Sequence, residues 1–366
     1  MAWAQELPSG RWRAVYRDAN GRQKSAGTHP RKRDAEMAGA REEGISRNDP
    51  KVVSDMTWAE WEPIWWASRT VEESTKRTDM SKLVHHVRPR WEGTRLSDIE
   101  RSDLQAWVAE LGSSGVGANT VQKCIRVMSG SLNAAVVAGK LEKNPCKGVT
   151  LPKEKPSPER FLSRDEAEAV RDGLYGFDRF IFDVLLGTGC RWGEAVALHW
   201  DHVDLENRRI EVAMSYDRGP GAHFFKATKG HAKRWLPIGD TLARTLSEQL
   251  DRVGYGDAPA MDYRVTKPRH ALLLGNAEGR PWDGAYFSHR LSAAGRVAKV
   301  GSGNRARKVG HVRPHDLRHT YASWLVQANV PIQEVQKLLG HQSLVTTQRY
   351  ARLGSTQWDA VRGVLG

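Results

Sequence analysis

Three stretches near the end of this sequence decide its expected fold and chemistry: His315-Asp-Leu-Arg318-His-Thr, Leu339-Gly-His341 and Tyr350. His315 and Arg318 are three residues apart, which places them on neighbouring faces at the start of one helix. The positive end of the helix dipole there favours a bound phosphate. His341 follows, and Tyr350 comes nine positions later. Because these side chains can neutralise a phosphate, move protons and supply a nucleophile, they indicate phosphodiester cleavage by a tyrosine.

Apolar residues around these stretches repeat at helical spacing and predict two helices. The first runs from His315 to Ala328, and the second begins at Pro331 and ends at Gly340. The expected buried positions are Leu317, Tyr321, Leu325 and Ala328 in the first helix, and Ile332, Val335, Leu338 and Leu339 in the second. His341 then lies just beyond a helix end, and Ser343 is expected to cap a short helix that presents Tyr350.

The composition indicates a multidomain globular protein with an anionic partner. A chain of 366 residues is longer than most single cores, so two or three domains are expected. The formal net charge of +13 favours nucleic acid, because basic surface binds phosphates and releases counterions. A merely basic enzyme is the alternative.

The cysteines and the hydropathy indicate an intracellular location. Cys124, Cys146 and Cys190 form neither a disulfide framework nor a CxxC pair, which fits a reducing cytosol. Residues 1–10 contain no apolar run, so no signal peptide is expected. Because no segment approaches the roughly 20 apolar residues that cross a bilayer, no membrane partner is expected.

Residues 1–50 are expected to form a small α+β domain. Residues 10–17 alternate in polarity, with Trp12, Ala14 and Tyr16 on one face. The other face carries Arg11, Arg13, Val15 and Arg17. A return strand at 22–27 and a helix at 33–43 complete the domain. The basic face either enters a DNA groove or is the solvated outside of a hairpin, and both interpretations stay open.

Residues 55–147 are expected to form an all-helical domain. Helical spacing predicts two buried stripes, namely Trp58, Trp61 and Trp65, then Leu104, Trp107, Val108 and Leu111. A third helix, 119–137, carries Lys123 and Arg126 as candidate DNA contacts. A basic, proline-rich linker follows at 148–160, in which Lys153 and Lys155 are further candidates. Residues 161–366 form the last domain, which opens with the capping box Ser163-Arg-Asp-Glu166.

Thr188-Gly-Cys-Arg191-Trp-Gly-Glu194 is a second candidate phosphate site, between predicted helices at 177–186 and 192–198. Its glycines allow a tight turn that holds Arg191 at a helix start. Glu194 is expected to hold Arg191 or to order the nearby backbone. The alternative is an ordinary surface ion pair, which contributes little.

Residues 223–238 predict a hairpin in a short sheet that also includes 209–213. Its basic tip contains Lys229, which is able to reach a DNA groove and donate a proton. A solvated basic turn is the alternative from this segment alone.

The ordered set Arg191, Lys229, His315, Arg318, His341 and Tyr350 resembles the catalytic set of the tyrosine recombinase, or phage integrase, family over residues 160–355. The resemblance implies that Tyr350 attacks the scissile phosphate and forms a 3′-phosphotyrosyl link, while Arg191 and Arg318 bind phosphate oxygens. It further implies that Lys229 protonates the leaving 5′-oxygen, His315 assists proton transfer and His341 hydrogen-bonds the phosphate. Glu194 has a supporting role. Neither a metal nor another cofactor is required, because the covalent link conserves the phosphodiester energy.

The same resemblance implies a multidomain fold: a small α+β arm-binding domain (1–50), an all-α core-binding domain (55–147) and a mainly α catalytic domain with a small antiparallel sheet (161–366). It implies a homotetramer that acts on core-type and arm-type sites in double-stranded DNA and passes through a Holliday junction. Integration or excision of a phage or mobile element in the bacterial cytoplasm is the expected role. A host DNA-bending protein and an excision factor are candidate accessory partners.

The last residues form a predicted amphipathic tail, with Trp358, Val361 and Leu365 at helical spacing. The tail packs either on a neighbouring subunit or on its own domain. Two other functions compete with recombination. A catalytically silent DNA-binding regulator does not need the complete residue set. A type IB topoisomerase-like relaxing enzyme shares the chemistry, but the N-terminal unit and the Leu-Gly-His spacing favour recombination.

Overall fold

The computed structural model of the chain is rich in helices and contains small, mainly antiparallel sheets. It describes residues 2–18, 23–48, 55–154, 160–219, 222–228 and 233–351. The chain divides into two compact units, Met1–Lys155 and Pro156–Gly366. Among the described residues, no helix is long and apolar enough to span a lipid bilayer.

The N-terminal segment forms an antiparallel sheet and a helix. Strands β1 (Trp3–Glu6), β2 (Trp12–Arg17) and β3 (Gln23–His29) lie in the order β1-β2-β3, and helix α1 (Lys32–Asn48) packs on them. The two predicted strands and the helix are confirmed, and β1 is an addition to the prediction. The assignment of Val15 to the basic outer face is wrong, since Val15 is buried. The pairing of β2 with β3 shifts register between Arg13 and Val15, so alternation fails there.

The rest of the first unit is helical. It contains α2 (Trp58–Ala67), α3 (Glu73–Lys82), a π-helical turn (Leu83–Val87), α4 (Arg88–Trp91), α5 (Arg101–Ser113) and α6 (Ala118–Val137). The three helices predicted from periodicity are confirmed, and both predicted stripes are buried. Trp91 meets Trp107 edge to face, with ring centroids 5.7 Å apart. The tryptophans of these stripes are therefore core residues.

Residues 148–154, at the start of the predicted linker, lie against α5 and α6. Thr150 exchanges two backbone hydrogen bonds with the side-chain amide of Gln105. Gln122 donates to the Pro152 carbonyl at 2.8 Å. The boundary between the two compact units falls after Lys155, a residue that lies outside the described ranges.

Along the chain, the helices of the second unit come before and after the strands of its main sheets. They are α7 (Arg164–Asp172), α8 (Phe177–Thr188) and α9 (Trp192–Ala195), then α10 (Asp240–Val253), α11 (Gly284–Val297), α12 (Pro314–Gln327), α13 (Ile332–Leu339) and α14 (Leu344–Gln348). The capping box of α7 is confirmed, because Ser163 Oγ accepts from the backbone N–H of Glu166 at 3.2 Å. The helix predicted over 192–198 ends at Ala195. Beyond Ala195, the backbone forms hydrogen bonds with residues 271–273 instead of continuing the helix. The Leu198 carbonyl accepts from the Leu273 N–H at 2.8 Å.

Two three-stranded sheets replace the hairpin predicted over 223–238. One contains β4 (Val203–Asp204), β5 (Arg209–Val212) and β8 (Arg234–Pro237), all antiparallel. In the other, β6 (Met214–Gly219) and β7 (Ala222–Ala227) form the hairpin, and β9 (Asp262–Tyr263) pairs with β7 in parallel. A short antiparallel pair joins β10 (Lys299–Val300) and β11 (Arg307–Lys308). The predicted hairpin is wrong because β7 and β8 do not pair with each other, and each pairs with an earlier strand. The expectation of a purely antiparallel sheet is also wrong, because β9 pairs with β7 in parallel.

The two predicted C-terminal helices are confirmed as α12 and α13. Leu317 and Tyr321 are buried, but Ala328 is exposed because it lies at the C-cap of α12. Gly340 ends α13 in the left-handed conformation, with φ of +64°, as the glycine predicts. Ser343 occupies the N-cap position of α14, although its side chain makes no capping hydrogen bond within the described chain.

Candidate active site

Arg191 is presented by a sharp turn between α8 and α9. Gly189 ends α8 with φ of +63°, and Arg191 is the N-cap residue of α9. A Cβ on Gly189 would lie 2.3 Å from Cδ1 of Tyr321, and one on Gly193 would lie 2.8 Å from Oγ of Ser215. Both glycines are therefore needed for close packing, and Gly189 is also needed for its positive φ.

Glu194 is the buried counter-ion of this turn. It is 4% exposed, and its carboxylate accepts from Nη1 of Arg191 at 2.9 Å and from the Arg191 backbone N–H at 3.0 Å. Arg234, at the start of β8, also donates to both carboxylate oxygens, at 2.7 and 3.3 Å. Burial opposes ionisation, but the hydrogen bonds and positive charge of Arg234 and Arg191 lower the pKa of Glu194. This burial excludes the surface ion pair and supports both expected roles of Glu194.

Arg318 projects from the first turns of α12 into the protein and is 2% exposed. Its Nη1 donates to the Gly189 carbonyl at 2.8 Å, and its Nη2 donates to the Leu339 carbonyl at 2.6 Å. Burial and the nearby Arg191 lower the pKa of Arg318 to about 10, so the guanidinium remains charged at neutral pH. Arg318 therefore joins the turn that carries Arg191 to the end of α13.

His315 and His341 flank the two arginines. His315 lies at the start of α12 and is exposed, and His341 follows Gly340. Desolvation and the charge of Arg318 lower the pKa of His315. Desolvation, followed by Arg318 and Arg191, lowers the pKa of His341 to about 4. Nδ1 of His341 lies 2.9 Å from Oγ1 of Thr347. Both imidazoles are therefore neutral at pH 7 and able to exchange protons or hydrogen bonds.

Tyr350 follows α14 and is 2% exposed. Its hydroxyl lies 2.5 Å from Nδ1 of His319. Desolvation and the neighbouring His315 lower the pKa of His319 to about 4, so its neutral ring is able to accept the phenol hydrogen. The rings of His315 and His319 meet edge to face, with centroids 4.5 Å apart. His319 therefore connects the tyrosine to His315.

The structure brings Arg191, His315, Arg318 and His341 together at the starts of α9 and α12 and the end of α13. The ring of His319 separates Tyr350 from His315. Lys229 lies outside the described residues. Sequence reasoning missed His319 and Arg234. The spacing between His315 and His319 is one helical turn, a signal that could have identified His319. No local signal identifies Arg234, whose partners come from distant segments.

The candidate DNA contacts lie mainly on the surface. Arg11, Arg13, Arg17, Arg126 and Lys153 are exposed, and Lys123 is partly buried. Arg11 also donates to the Thr28 carbonyl at 3.2 Å, so part of its guanidinium is used within the sheet. Exposure makes these residues available to a partner but does not by itself identify that partner.

The sequence profile of the phage integrase family matches residues 160–356, which is more than half of the chain. This match covers every residue of the candidate active site, from Arg191 to Tyr350. The chain therefore belongs to the phage integrase family, and it is a tyrosine-type site-specific recombinase. Tyrosine recombinase XerC of Xylella fastidiosa (strain M23) is 27% identical over 260 residues, covering 70% of this chain and 77% of that protein. Tyrosine recombinase XerC of Mycobacterium leprae (strain TN) is 28% identical over 302 residues, covering 79% and 91%.

Solved structures share the fold. The Tn1549 transposon integrase in complex with a circular intermediate DNA matches with a TM-score of 0.68 at 19% identity, covering 85% of this chain and 99% of that one. A lambda integrase dimer bound to a COC′ core site matches with a TM-score of 0.61 at 18% identity, covering 97% and 96%. A lambda integrase tetramer bound to a Holliday junction matches with a TM-score of 0.60.

Proposed function

We propose that this recombinase cuts and rejoins double-stranded DNA through a 3′-phosphotyrosyl intermediate and a Holliday junction. The observation that carries the proposal is the convergence of Arg191, Arg318 and His341 at the end of α13, with Tyr350 joined to His315 through His319. Fixed guanidinium groups suit the charge that develops on a phosphate during in-line attack.

In the proposed reaction, the phenol oxygen of Tyr350 forms a bond to phosphorus while the bond from phosphorus to the 5′-oxygen breaks. Arg191 and Arg318 bind the non-bridging oxygens, and His341 donates a further hydrogen bond. The phenol proton passes to a neutral imidazole with the assistance of His315, and Lys229 in its ammonium form protonates the departing 5′-oxygen. Within the part of the chain that the structure describes, two of the five N–H groups of Arg318 bond backbone carbonyls, and the other three are the candidates for phosphate binding.

We also propose that three domains share the DNA: an arm-binding domain at 1–50, a core-binding domain at 55–147 and a catalytic domain at 161–366, with a linker at 148–160. Exposed Arg11, Arg13 and Arg17 would face arm-type DNA, while Lys123, Arg126, Lys153 and Lys155 would contact the core site. The net charge of +13 supports such contacts. The folds of integrases solved with core-site DNA and on a Holliday junction support a homotetramer.

Integration or excision of a phage or mobile element in the bacterial cytoplasm is the proposed biological role. The fold matches to a transposon integrase and to lambda integrase, and the sheet that precedes the helical segment, support this role. A host DNA-bending protein and an excision factor are proposed accessory partners. The predicted amphipathic tail at 356–366 lies outside the described residues.

The decisive test uses a nicked duplex that bears the cognate core site. Wild-type protein should form an adduct that resists SDS, because the nick releases the 5′-fragment and prevents religation. Tyr350→Phe should bind the same duplex equally well and form no adduct. An adduct in Tyr350→Phe contradicts the assignment of the nucleophile. Relaxation of supercoiled DNA that lacks the site would favour the topoisomerase-like alternative.

A further inference from the structure

Three guanidinium groups converge on the last turn of α13. The carbonyls of Leu338, Leu339 and Gly340 are consecutive, and each accepts from a different arginine: Nε of Arg234 at 2.8 Å, Nη2 of Arg318 at 2.6 Å and Nη2 of Arg191 at 3.3 Å. The negative end of the helix dipole favours these cations. The helix end that precedes His341 is therefore tied to every arginine of the site.

Arg234 differs from Arg191 in access to solvent. The side chain of Arg234 is 11% exposed, whereas that of Arg191 is 41% exposed. Arg191 makes its longest contact, 3.3 Å, with the Gly340 carbonyl, so a phosphate could displace that carbonyl at little cost. All three guanidinium nitrogens of Arg234 bond acceptors of the protein itself, Nε the Leu338 carbonyl and Nη1 and Nη2 the carboxylate of Glu194.

Arg234 and Arg191 share one carboxylate. Glu194 accepts from Arg234 at 2.7 Å through Oε2 and from Arg191 at 2.9 Å through Oε1. If Arg234 were removed, the buried charge of Glu194 would draw more strongly on Arg191, because an opposite charge at this distance is weakly screened. Arg234 therefore reduces the hold of Glu194 on the arginine that has access to DNA.

Arg234 also supports the turn that leads to His341. A Cβ on Gly340 would lie 3.0 Å from Nη1 of Arg234 and 3.2 Å from its Cζ, so the guanidinium packs directly under this turn. Arg234 therefore contacts both Glu194, the counter-ion of Arg191, and the backbone that immediately precedes His341.

We propose that Arg234 is a positioning residue of the recombination reaction. It fixes Glu194 and the end of α13, so that Arg191 and His341 meet the same phosphate without Arg234 touching DNA. This inference rests on the proposed phosphodiester cleavage.

The test measures single-turnover adduct formation on the nicked core-site duplex with Arg234→Lys and Arg234→Gln. A lysine keeps the charge but cannot reproduce the fork that bonds both Glu194 oxygens and the Leu338 carbonyl. Adduct formation should slow by about 100-fold in both variants, while the Kd for DNA stays near the wild-type value. Arg209→Lys is the matched control, because Arg209 lies on the adjacent strand β5 and pairs with Asp204 at 2.9 Å, away from the site. It should cleave at the wild-type rate.

A second substrate separates positioning from loss of folded protein. A methylphosphonate at the scissile position has no anionic charge for Arg191 to neutralise. If Arg234 acts through Arg191, the difference between wild type and each Arg234 variant should shrink to less than about tenfold on this substrate. An equal loss on both substrates, or wild-type cleavage by Arg234→Lys, would overturn the inference.

A third variant tests whether the slower adduct formation of Arg234→Gln comes from the unbalanced charge of Glu194 or from misfolding. In Arg234→Gln/Glu194→Gln the buried carboxylate charge is removed together with its partner. Its adduct rate should exceed that of Arg234→Gln, because Arg191 is no longer held by an unbalanced Glu194. A rate equal to or below that of Arg234→Gln counts against the inference. Absence of an adduct with wild-type protein would instead refute the proposed cleavage chemistry, so the two failures are distinguishable.

Discussion

At the scale of single residues, the nucleophile candidate and its neighbour form a buried polar pair. Tyr350 is 2% exposed and His319 is 7% exposed, and the phenol meets a ring that is neutral at pH 7. A buried hydroxyl in such a place needs an acceptor, since water is excluded. The hydrogen bond with His319 therefore helps to hold Tyr350 in its resting position, and the His319 ring links the phenol to His315.

We predict that His319→Leu lowers the free energy of unfolding by about 1–3 kcal/mol, because it deprives the buried phenol of its His319 acceptor. The cost should be smaller in a Tyr350→Phe background, where the hydroxyl is absent. The cycle consists of wild type, His319→Leu, Tyr350→Phe and the double variant. Urea unfolding measures the stability of each protein, and hydrogen exchange in α12 provides a second readout. Additive effects, within about 0.5 kcal/mol, would show that the two side chains are not coupled.

At the scale of elements, the end of α13 combines backbone conformation with side-chain packing. Gly340 has φ of +64°, and its missing Cβ makes room for Arg234. Elsewhere in the same unit, Gly279 has φ of +73° with nothing within 4 Å of an added Cβ. An alanine at Gly279 would therefore add backbone strain alone, whereas an alanine at Gly340 would add both strain and crowding.

We predict that Gly279→Ala costs about 1–2 kcal/mol of stability, the strain of an alanine in the left-handed region. Gly340→Ala should cost more, and it should also slow adduct formation, because the new Cβ displaces the guanidinium of Arg234. Urea unfolding and the adduct assay measure the two effects. Equal stability losses combined with equal adduct rates would mean that the packing of Arg234 under Gly340 has no consequence.

Elements also show where sequence-based prediction succeeds and where it fails. The helices α6, α8, α12 and α13 are recognisable because each carries its own apolar stripe and its own end signals. Strand partners are not encoded locally. β7 and β8 are near in sequence, yet β8 pairs with β5 and β7 pairs with β6 and β9. The predicted hairpin failed for this reason.

At the scale of the whole molecule, stability should depend on pH through buried histidines. His199 is fully buried between the Ala197 carbonyl and the hydroxyl of Tyr263, with contacts of 2.9 Å to each. Burial lowers the pKa of His199 to about 4, from 6.5 in an unfolded chain. The unfolded state therefore binds one more proton than the folded state between these values, so stability rises with pH across this window and is lost as pH falls.

We predict that His199 alone contributes up to about 3 kcal/mol of the stability lost between pH 7 and pH 4. His199→Gln should be less stable at pH 7 but should show a shallower decline with falling pH. The control is His289→Gln, because His289 is exposed on α11 and its replacement should leave the decline unchanged. Urea unfolding at several pH values between 4 and 7 measures the slopes. Parallel curves for wild type and His199→Gln would contradict the prediction.

The sequence by itself determined the order of the chemical groups. Arg191, His315, Arg318, His341 and Tyr350 are identifiable because residue type, helix periodicity and end signals are local properties of the chain. Tertiary structure alone decided how these groups are held. Arg191 meets the Gly340 carbonyl across 149 positions, and Arg234 meets Glu194 across 40. Such partners are chosen by packing: a buried carboxylate or carbonyl must be satisfied by whichever donor the fold brings near, and no local pattern specifies that donor. For this reason the sequence indicates cleavage by Tyr350, whereas the bonding partners of Arg234 and His319 emerge only from the folded chain.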